Sequence, residues 1–242
     1  MLGALRAPAR SGISRRDEPE ARRDGEAGAR QAELKLGPTY CTQLRSGYDA
    51  PVLVLSALWL AAPVIAGGLL HVFAIRLNLL PSLAALPLDG GAMCRGHRVF
   101  GDNKTVRGVV LMLLFTIICA LAQAWLIERF AWAQELTLPG MRAVPPWQWG
   151  ALLGAGYILG ELPNSFIKRQ LEIAPGAPGR GRSAPFFWVL DQADSLIGTV
   201  VAMAFVWTPP VAVLIALFAV TLVVHPMVAG IMVMLGLKNR VG

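Results

Sequence analysis

Asp191 and Asp194 stand in a run from Pro185 to Phe205 that carries no other charge, and from Ser195 onward no charged residue appears until Lys238. An ionised carboxylate in hydrocarbon costs roughly 2.5–3.5 kcal/mol even on the lenient insertion scale, so two of them need a reason to be there. Three residues apart, they lie on one face of a helix. Two carboxylates on one face near a membrane surface suit a divalent cation, and such a cation suits phosphate chemistry. The plainer reading is a helix–helix ion pair with an Arg or Lys from a neighbouring loop, the usual fate of intramembrane charge.

Two further segments concentrate polar chemistry. Gly160-Glu161-Leu162-Pro163-Asn164-Ser165-Phe166-Ile167-Lys168-Arg169-Gln170 brings Glu161, Asn164 or Ser165, and Lys168 to one face at helical spacing. Pro163 is expected to open backbone groups toward a cavity. The segment from Leu86 to Gly108 holds glycines at 90, 91, 96, 101 and 108 among Asp89, Asp102, Asn103, Lys104, Thr105 and Arg107. Lys, Thr and Arg just before a helix, where backbone N–H groups are unpaired, make a phosphate cradle. The competing readings are interfacial anchors for Lys168 and Arg169 and a topology-setting loop for the bases. The Gly/Pro-rich basic stretch 174–185, with Arg180 and Arg182, is read as a lid over phosphates or a linker. His97 and His225 are weak signals.

The elements that must position these groups follow from composition. The 242 residues are 55% hydrophobic and 15% charged, which excludes an ordinary soluble domain and predicts an all-α integral membrane protein. Five spans are expected: about Pro51–Ile75, Gly108–Ile127, Trp147–Ile167, Phe186–Trp207, and from after Pro210 to about Leu237, with Pro209-Pro210 turning the chain between the last two. Residues 1–47, mixed in charge and without apolar period, are expected to be a disordered extension ahead of a membrane domain over 48–242. The net charge of +7 reads as topology, so nucleic acid is not expected as a partner. Arg95, Arg98, Lys104 and Arg107 in the first loop, Lys168, Arg169, Arg180 and Arg182 around the third, and Lys238 and Arg240 in the tail make that side cytoplasmic. Cys41, Cys94 and Cys119 have no metal-ligand spacing and are read as free thiols.

Gly-Asp-Asn-Lys-Thr-Val-Arg-Gly (101–108), Asn-Ser-Phe-Ile-Lys-Arg (164–169) and Asp-Gln-Ala-Asp (191–194) together resemble the CDP-archaeol synthases, integral membrane cytidylyltransferases more distantly similar to CDP-diacylglycerol synthases. Leu86-Pro87-Leu88-Asp89 also resembles that family's Pro-x-Asp element after the first span. The resemblance covers about Leu53 to the C-terminus. It implies a CTP-dependent transferase of phospholipid biosynthesis with Mg²⁺, which joins a cytidylyl group to a membrane lipid phosphate and releases pyrophosphate. Asp191, Asp194 and Glu161 would hold the metal. Lys104, Arg107, Lys168 and Arg169 would neutralise phosphates in catalysis. Asp89, Gly101, Asp102, Asn103, Thr105, Asn164 and Ser165 would bind the nucleotide. The family pattern has an aspartate and a lysine where this chain has Glu161 and Asn164, so the acid is kept in type and one positive charge is lost, which leaves the lipid open. An active site facing the cytoplasm from the cell or inner membrane lets CTP enter from water, and a homodimer is compatible with this reading.

Two other classes compete. A small ion or anion transporter would use the aspartates as a coupling-ion site, but five short spans show no internal repeat and the polar residues gather at one surface. An inactive scaffold is the other. For the topology, cysteines placed at 95 and 180 should react with an impermeant thiol reagent from the same side of the membrane; labelling from opposite sides would rule out both the topology and a shared site.

Overall fold

The computed structural model describes residues 49–175, 177, 179, 183–234 and 236. The expected disordered extension, Cys41, the lid arginines Arg180 and Arg182, and Lys238 and Arg240 lie outside the described residues. From Asp49 onward the described chain forms one compact unit.

Five long helices dominate it: α1 (Ala50–Arg76), α3 (Val106–Arg129), α5 (Pro146–Gln170), α6 (Ala184–Ala204) and α7 (Val211–Met234). They begin and end within about three residues of the expected spans. Four of them, α1, α3, α6 and the Val211–Gly230 part of α7, are long and apolar enough to cross a membrane, and the protein is an all-α integral membrane protein. The fifth expected span, α5, has the length, at 25 residues, without the apolarity. It opens on Pro146-Trp147-Gln148 and carries Glu161, Asn164, Lys168 and Arg169. Its most extensive contacts are with α6 and α3, so protein covers much of what lipid would otherwise meet.

Short elements not expected from the sequence complete the fold. Helix α2 (Pro81–Ala84) follows α1, and α4 (Ala131–Leu136) with a 3₁₀ turn (Pro139–Arg142) joins α3 to α5. Strands β1 (Met93–Cys94) and β2 (His97–Arg98) form an antiparallel hairpin, Met93 opposite Arg98 and Cys94 opposite His97. Its two turn residues, Arg95 and Gly96, have φ of 52° and 86°, as a two-residue hairpin with both central residues at positive φ requires. Leu88 N–H donates to Lys104 O at 2.8 Å and Val106 N–H to Leu86 O at 2.9 Å. The chain from 86 to 106 is thereby closed at its base into a lobe beside the start of α3.

Small residues set how closely the helices pack. A Cβ on Gly67 of α1 would stand 2.8 Å from Thr116 Oγ1 of α3, and one on Gly150 of α5 would stand 2.6 Å from Ile117 Cα of α3. At the crossing of α5 and α6 a Cβ on Gly160 would lie 2.3 Å from Asp194 O, and one on Gly198 would lie 2.2 Å from Gly156 O. This is the small-residue packing that lets helix backbones touch where no hydrophobic drive pulls them together. Opposite the 86–106 lobe, Trp59, Trp132 and Phe130 cluster, with centroids 5.2 Å apart for the two indoles. Trp59 Nε1 donates to Thr137 Oγ1, and exposed Trp125 and Trp147 lie at the same end. Aromatic residues so placed mark a membrane–water boundary.

The crossing yields a stability prediction. Gly160→Ala forces α6 outward and should lower stability by about 1–3 kcal/mol, the usual range for overpacking, with a lower unfolding temperature in detergent. A variant as stable as the wild type would mean that the two backbones are not in contact.

Candidate active site

The close crossing of α5 and α6 sets one face of α5 against the aspartates. Asn164, buried, donates through Nδ2 to Asp191 Oδ1 and to Asp194 Oδ2, both at 2.7 Å. Lys168, one turn further along, places Nζ 2.6 Å from both oxygens of Asp191 and 5.7 Å from the centre of the Phe187 ring. An ion pair, the plainer reading, is therefore present for Asp191, with Lys168 of helix α5 as its cation in place of a loop residue. Asp194, 8% exposed, is held differently. Besides Asn164 it accepts from Ser195 N–H at 2.6 Å and Ser195 Oγ at 3.1 Å, and no cation pairs with it among the described residues.

Glu161 does not join the two aspartates. It pairs with Lys104 of the lobe, and Tyr157, one turn back on α5, lies within electrostatic reach of it. Among the described residues no three His, Cys, Asp or Glu side chains gather as a metal site, so the expected three-carboxylate set is not assembled. The donors that do fit a divalent cation are Asp191, Asp194 and the Asn164 amide oxygen. Asn164 Oδ1 is buried and has no partner, and turning the amide over would present it where Nδ2 now bridges the carboxylates. That is an all-oxygen set of the kind hard cations take.

The lobe supplies the opposite wall, and Asp89 organises it. Its carboxylate has no exposed surface. It accepts from Arg98 Nη2 at 2.5 Å and Nε at 3.3 Å, and from the backbone N–H of Gly91, Phe100 and Gly101 at 3.0 Å each. Those five donors saturate it. The expected nucleotide contact at Asp89 is thus replaced by a structural one, because every lone pair is already taken inside the lobe. The Arg98 hydrogen bonds, helped by the backbone N–H groups, hold the Asp89 carboxyl well below the usual carboxylate range against the opposing effect of burial. The same contact raises the Arg98 guanidinium.

Thr105 is likewise occupied, its Oγ1 capping α3 by accepting from Gly108 N–H at 3.3 Å. Asp102 and Asn103 are exposed, Asp102 on Arg98 at 2.7 Å. Arg107 reaches Asn78 Oδ1 at 3.2 Å. Ser165, half-buried beside Asn164, takes no part in the bonds to the aspartates. The lobe meets α5 at Gly101, where φ is +88° and a Cβ would stand 3.3 Å from Arg169 Cδ and Nη1. Gln170 Nε2 also reaches Arg98 O at 3.5 Å.

Arg169 is the unusual member. It is 8% exposed, and its Nε and Nη1 are buried without an acceptor among the described residues, as is Arg107 Nε. A buried guanidinium nitrogen without a partner loses hydration and gains nothing for it. His71, in the last turns of α1, has an unpartnered buried Nε2 within electrostatic reach of Glu161, Arg107 and Lys104. Sequence reasoning passed over His71, Tyr157 and the Arg98–Asp89 pairing. A single histidine near the end of an apolar span, five residues before Arg76, was the signal available for the first.

These features define an integral membrane protein with interleaved acids and bases at one end of a helix bundle. The CarS-like CDP-archaeol synthase family model matches residues 52–241. The CDP-archaeol synthase of Methanopyrus kandleri is 32% identical over 144 residues, 57% of this chain and 69% of that protein. That of Aeropyrum pernix is 30% identical over 196 residues, 79% of this chain and 90% of its own length. A solved structure described as an intramembrane enzyme for archaeal membrane lipids biosynthesis shares the fold, with a TM-score of 0.51 at 23% identity over 74% of this chain and 94% of that one. The chain belongs to the CDP-archaeol synthase family, and as a member it is an enzyme, a CTP-dependent nucleotidyltransferase.

The Asp89 contacts predict a pH dependence. A carboxyl depressed in the folded state stabilises fully above its unfolded value of about 3.9 and loses that contribution as pH falls toward the folded value. The gap in unfolding temperature between wild type and Asp89→Asn should therefore be constant from pH 7 down to about 4.5 and shrink below about 4. A gap unchanged at pH 3 would remove the ionised carboxylate from the account.

Proposed function

We propose that the protein transfers a cytidylyl group from CTP to a membrane lipid phosphate, giving a CDP-lipid and pyrophosphate. The observation that carries this reading is the buried Arg169 guanidinium against Gly101, with two nitrogens lacking an acceptor, beside two buried carboxylates that suit a cation. A metal-bound polyphosphate supplies both an anion and a cation. Soluble phosphate esters alone would not need a bundle of apolar helices, whereas a lipid phosphate does. In this reading five helices cross the cell or inner membrane, α5 being shielded by α3 and α6, and the lobe faces the cytoplasm, where CTP is dissolved.

Both reactants are anions, so cations must bring them together and stabilise charge on the departing pyrophosphate. Mg²⁺, when bound, would offset triphosphate charge and favour attack at the α-phosphorus. Asp191 and Asp194 would hold it, with the Asn164 amide oxygen as third donor. Lys168 and Lys104 now neutralise Asp191 and Glu161. Lys168 would be freed for a phosphate once Asp191 has a divalent partner, and Lys104, at the base of the lobe, would exchange Glu161 for a phosphate oxygen. Arg169 would bind a phosphate from beneath Gly101, and Arg107 would bind one from the start of α3. The backbone of Gly101, Asp102 and Asn103 would face the nucleotide, and Ser165 would lie at its edge.

Purified protein incubated with labelled CTP, Mg²⁺ and a panel of lipid phosphates should yield label in the lipid extract. Asp191→Asn and Asp194→Asn should each abolish turnover with the fold intact. Lys104→Ala and Lys168→Ala should each slow it roughly 10²–10³-fold, the scale of losing one transition-state charge stabiliser, and Arg180→Ala should matter less. If no lipid phosphate is labelled while liposomes holding the protein pass ions, a transporter replaces this reading.

A further inference from the structure

The reaction described above leaves one buried polar group unused, the imidazole of His71. It lies in the last turns of α1, at the close of an apolar span, and it lines a cavity among α1, α5, α6 and α7. The ring therefore stands where the apolar interior of the bundle meets its charged end. Its Nε2 is buried and has no partner among the described residues. A buried nitrogen left without a hydrogen bond carries its full desolvation cost, so a ligand that supplies the partner is favoured there.

Gly108, in the first turn of α3, leaves room for such a ligand. A Cβ built on it would stand 3.8 Å from His71 Nε2 and 3.8 Å from Thr105 Oγ1, and no other group outside the α3 backbone comes closer. A methyl-sized gap thus lies between an imidazole nitrogen and a hydroxyl, and an oxygen atom fits where a methyl would. Thr105 Oγ1 accepts from Gly108 N–H, which leaves its own hydroxyl hydrogen to donate. As the Nε2–H tautomer, His71 donates from the other side. Lys104 and Arg107 are within electrostatic reach of the ring, and Arg107 Nε is itself buried without an acceptor among the described residues. Donors and cations around an atom-sized gap suit an anionic oxygen.

We propose that His71 binds the phosphate of the lipid acceptor, with one phosphate oxygen held between His71 Nε2 and Thr105 Oγ1. The inference rests on the cytidylyltransfer reading and deepens it by naming a contact for the attacking reactant. Two observations favour the acceptor over CTP. The groups that suit a metal-bound triphosphate, Asp191, Asp194, Asn164 and Arg169, belong to α5 and α6, and none of them is among those that a Cβ on Gly108 would meet. His71, by contrast, is rooted in the apolar helix α1, on the side from which a membrane-held phosphate comes and a dissolved nucleotide does not. Glu161, within electrostatic reach of the ring and neutralised by Lys104, is one turn from Asn164 on α5. A phosphate at the gap therefore lies beside the metal-fitting donors and not on them, as attack by one phosphate on another requires. One of its oxygens forms the new bond to the α-phosphorus as the bond to the departing pyrophosphate breaks. His71 holds the phosphate and keeps its proton throughout.

The test separates the two reactants. Purified wild type, His71→Ala, His71→Gln and Gly108→Ala are assayed in detergent with labelled CTP, Mg²⁺ and a lipid phosphate that the wild type accepts. Each reactant is varied while the other is saturating. His71→Ala should raise the KM for the lipid phosphate roughly tenfold or more, the scale of losing one hydrogen bond to a charged group, while the KM for CTP stays within about twofold. His71→Gln, whose amide nitrogen reaches about as far as Nε2, should recover most of that loss. Gly108→Ala is the independent variant. Alanine fits the space and favours a helix over glycine, so the unfolding temperature should hold or rise. The methyl nonetheless fills the gap, and the KM for the lipid phosphate should rise severalfold. A purely structural role for His71 would lower stability and move both KM values together. A parallel rise in the KM for CTP, an unchanged lipid-phosphate KM in His71→Ala, or a Gly108→Ala enzyme that takes the lipid phosphate as the wild type does overturns the assignment and leaves cytidylyltransfer standing. A wild type that labels no lipid phosphate at all overturns both.

Discussion

Everything chemical in this protein depends on two helix backbones touching. Where α5 crosses α6, Gly156 and Gly160 lie against Gly198 and the carbonyl of Asp194, at separations that exclude any Cβ. In a bilayer, lipid tails compete equally for apolar side chains, so close backbone approach is one of the few ways to fix a helix pair. The contact lies one turn from Asn164 and directly at Asp194. Helices held apart by ordinary side chains could not let one amide nitrogen touch two carboxylates on the neighbouring helix at 2.7 Å each. The packing thus builds the site geometry directly.

The same closeness makes the buried charge tolerable. Glu161, Asp191 and Asp194 on one side, and Lys104, Lys168 and Arg169 on the other, are taken out of water together, and separation would cost each of them several kcal/mol. Lys168 and Lys104 are committed to acids, Asp194 relies on hydrogen bonds alone, and Arg169 retains bare donors. Such a set is nearly neutral but imperfectly paired. In the proposed reading an incoming metal–polyphosphate would offer each group a partner at least as strong as the one it gives up, so charges would be exchanged without any being exposed to hydrocarbon. A bundle of perfectly matched salt bridges would be more complete and less responsive.

The sequence made the long elements legible because apolar length is a local property: Arg76 and Arg129 end helices where they stand, and α7 starts directly after Pro209-Pro210. It made the aspartates, Asn164 and Lys168 legible because charge in an apolar run has few bland explanations. The span count was less legible. α5 reads as a span by length, yet its polarity belongs to a site shielded by neighbouring helices, and no window average contains that shielding. Asp89 was read as a ligand contact from the family resemblance, and Thr105 from its place before a helix as well. Their real partners, Arg98 with three backbone N–H groups and the α3 N-terminus, come from how the lobe folds on itself. His71 and Tyr157 looked like ordinary members of apolar helices, and only tertiary packing brings them to the carboxylates.

The lobe and the bundle solve different parts of one problem. A triphosphate must be met by a wall that does not collapse when many like charges approach, and Asp89 gives the lobe that stiffness by tying Arg98, Gly91, Phe100 and Gly101 to one buried carboxylate. A lipid must be met by a surface whose shape persists inside a fluid, and the glycine-packed helices give that. The two parts are joined through α5, whose last turns carry Lys168 toward the aspartates and Arg169 beneath Gly101. Because these cations are adjacent in sequence yet project to different walls, a small change in the seating of the lobe on α5 would alter the distance between them. Gln170, bonded to Arg98 O, is then part of the alignment: it ties the end of α5 to the lobe just beyond Lys168 and Arg169.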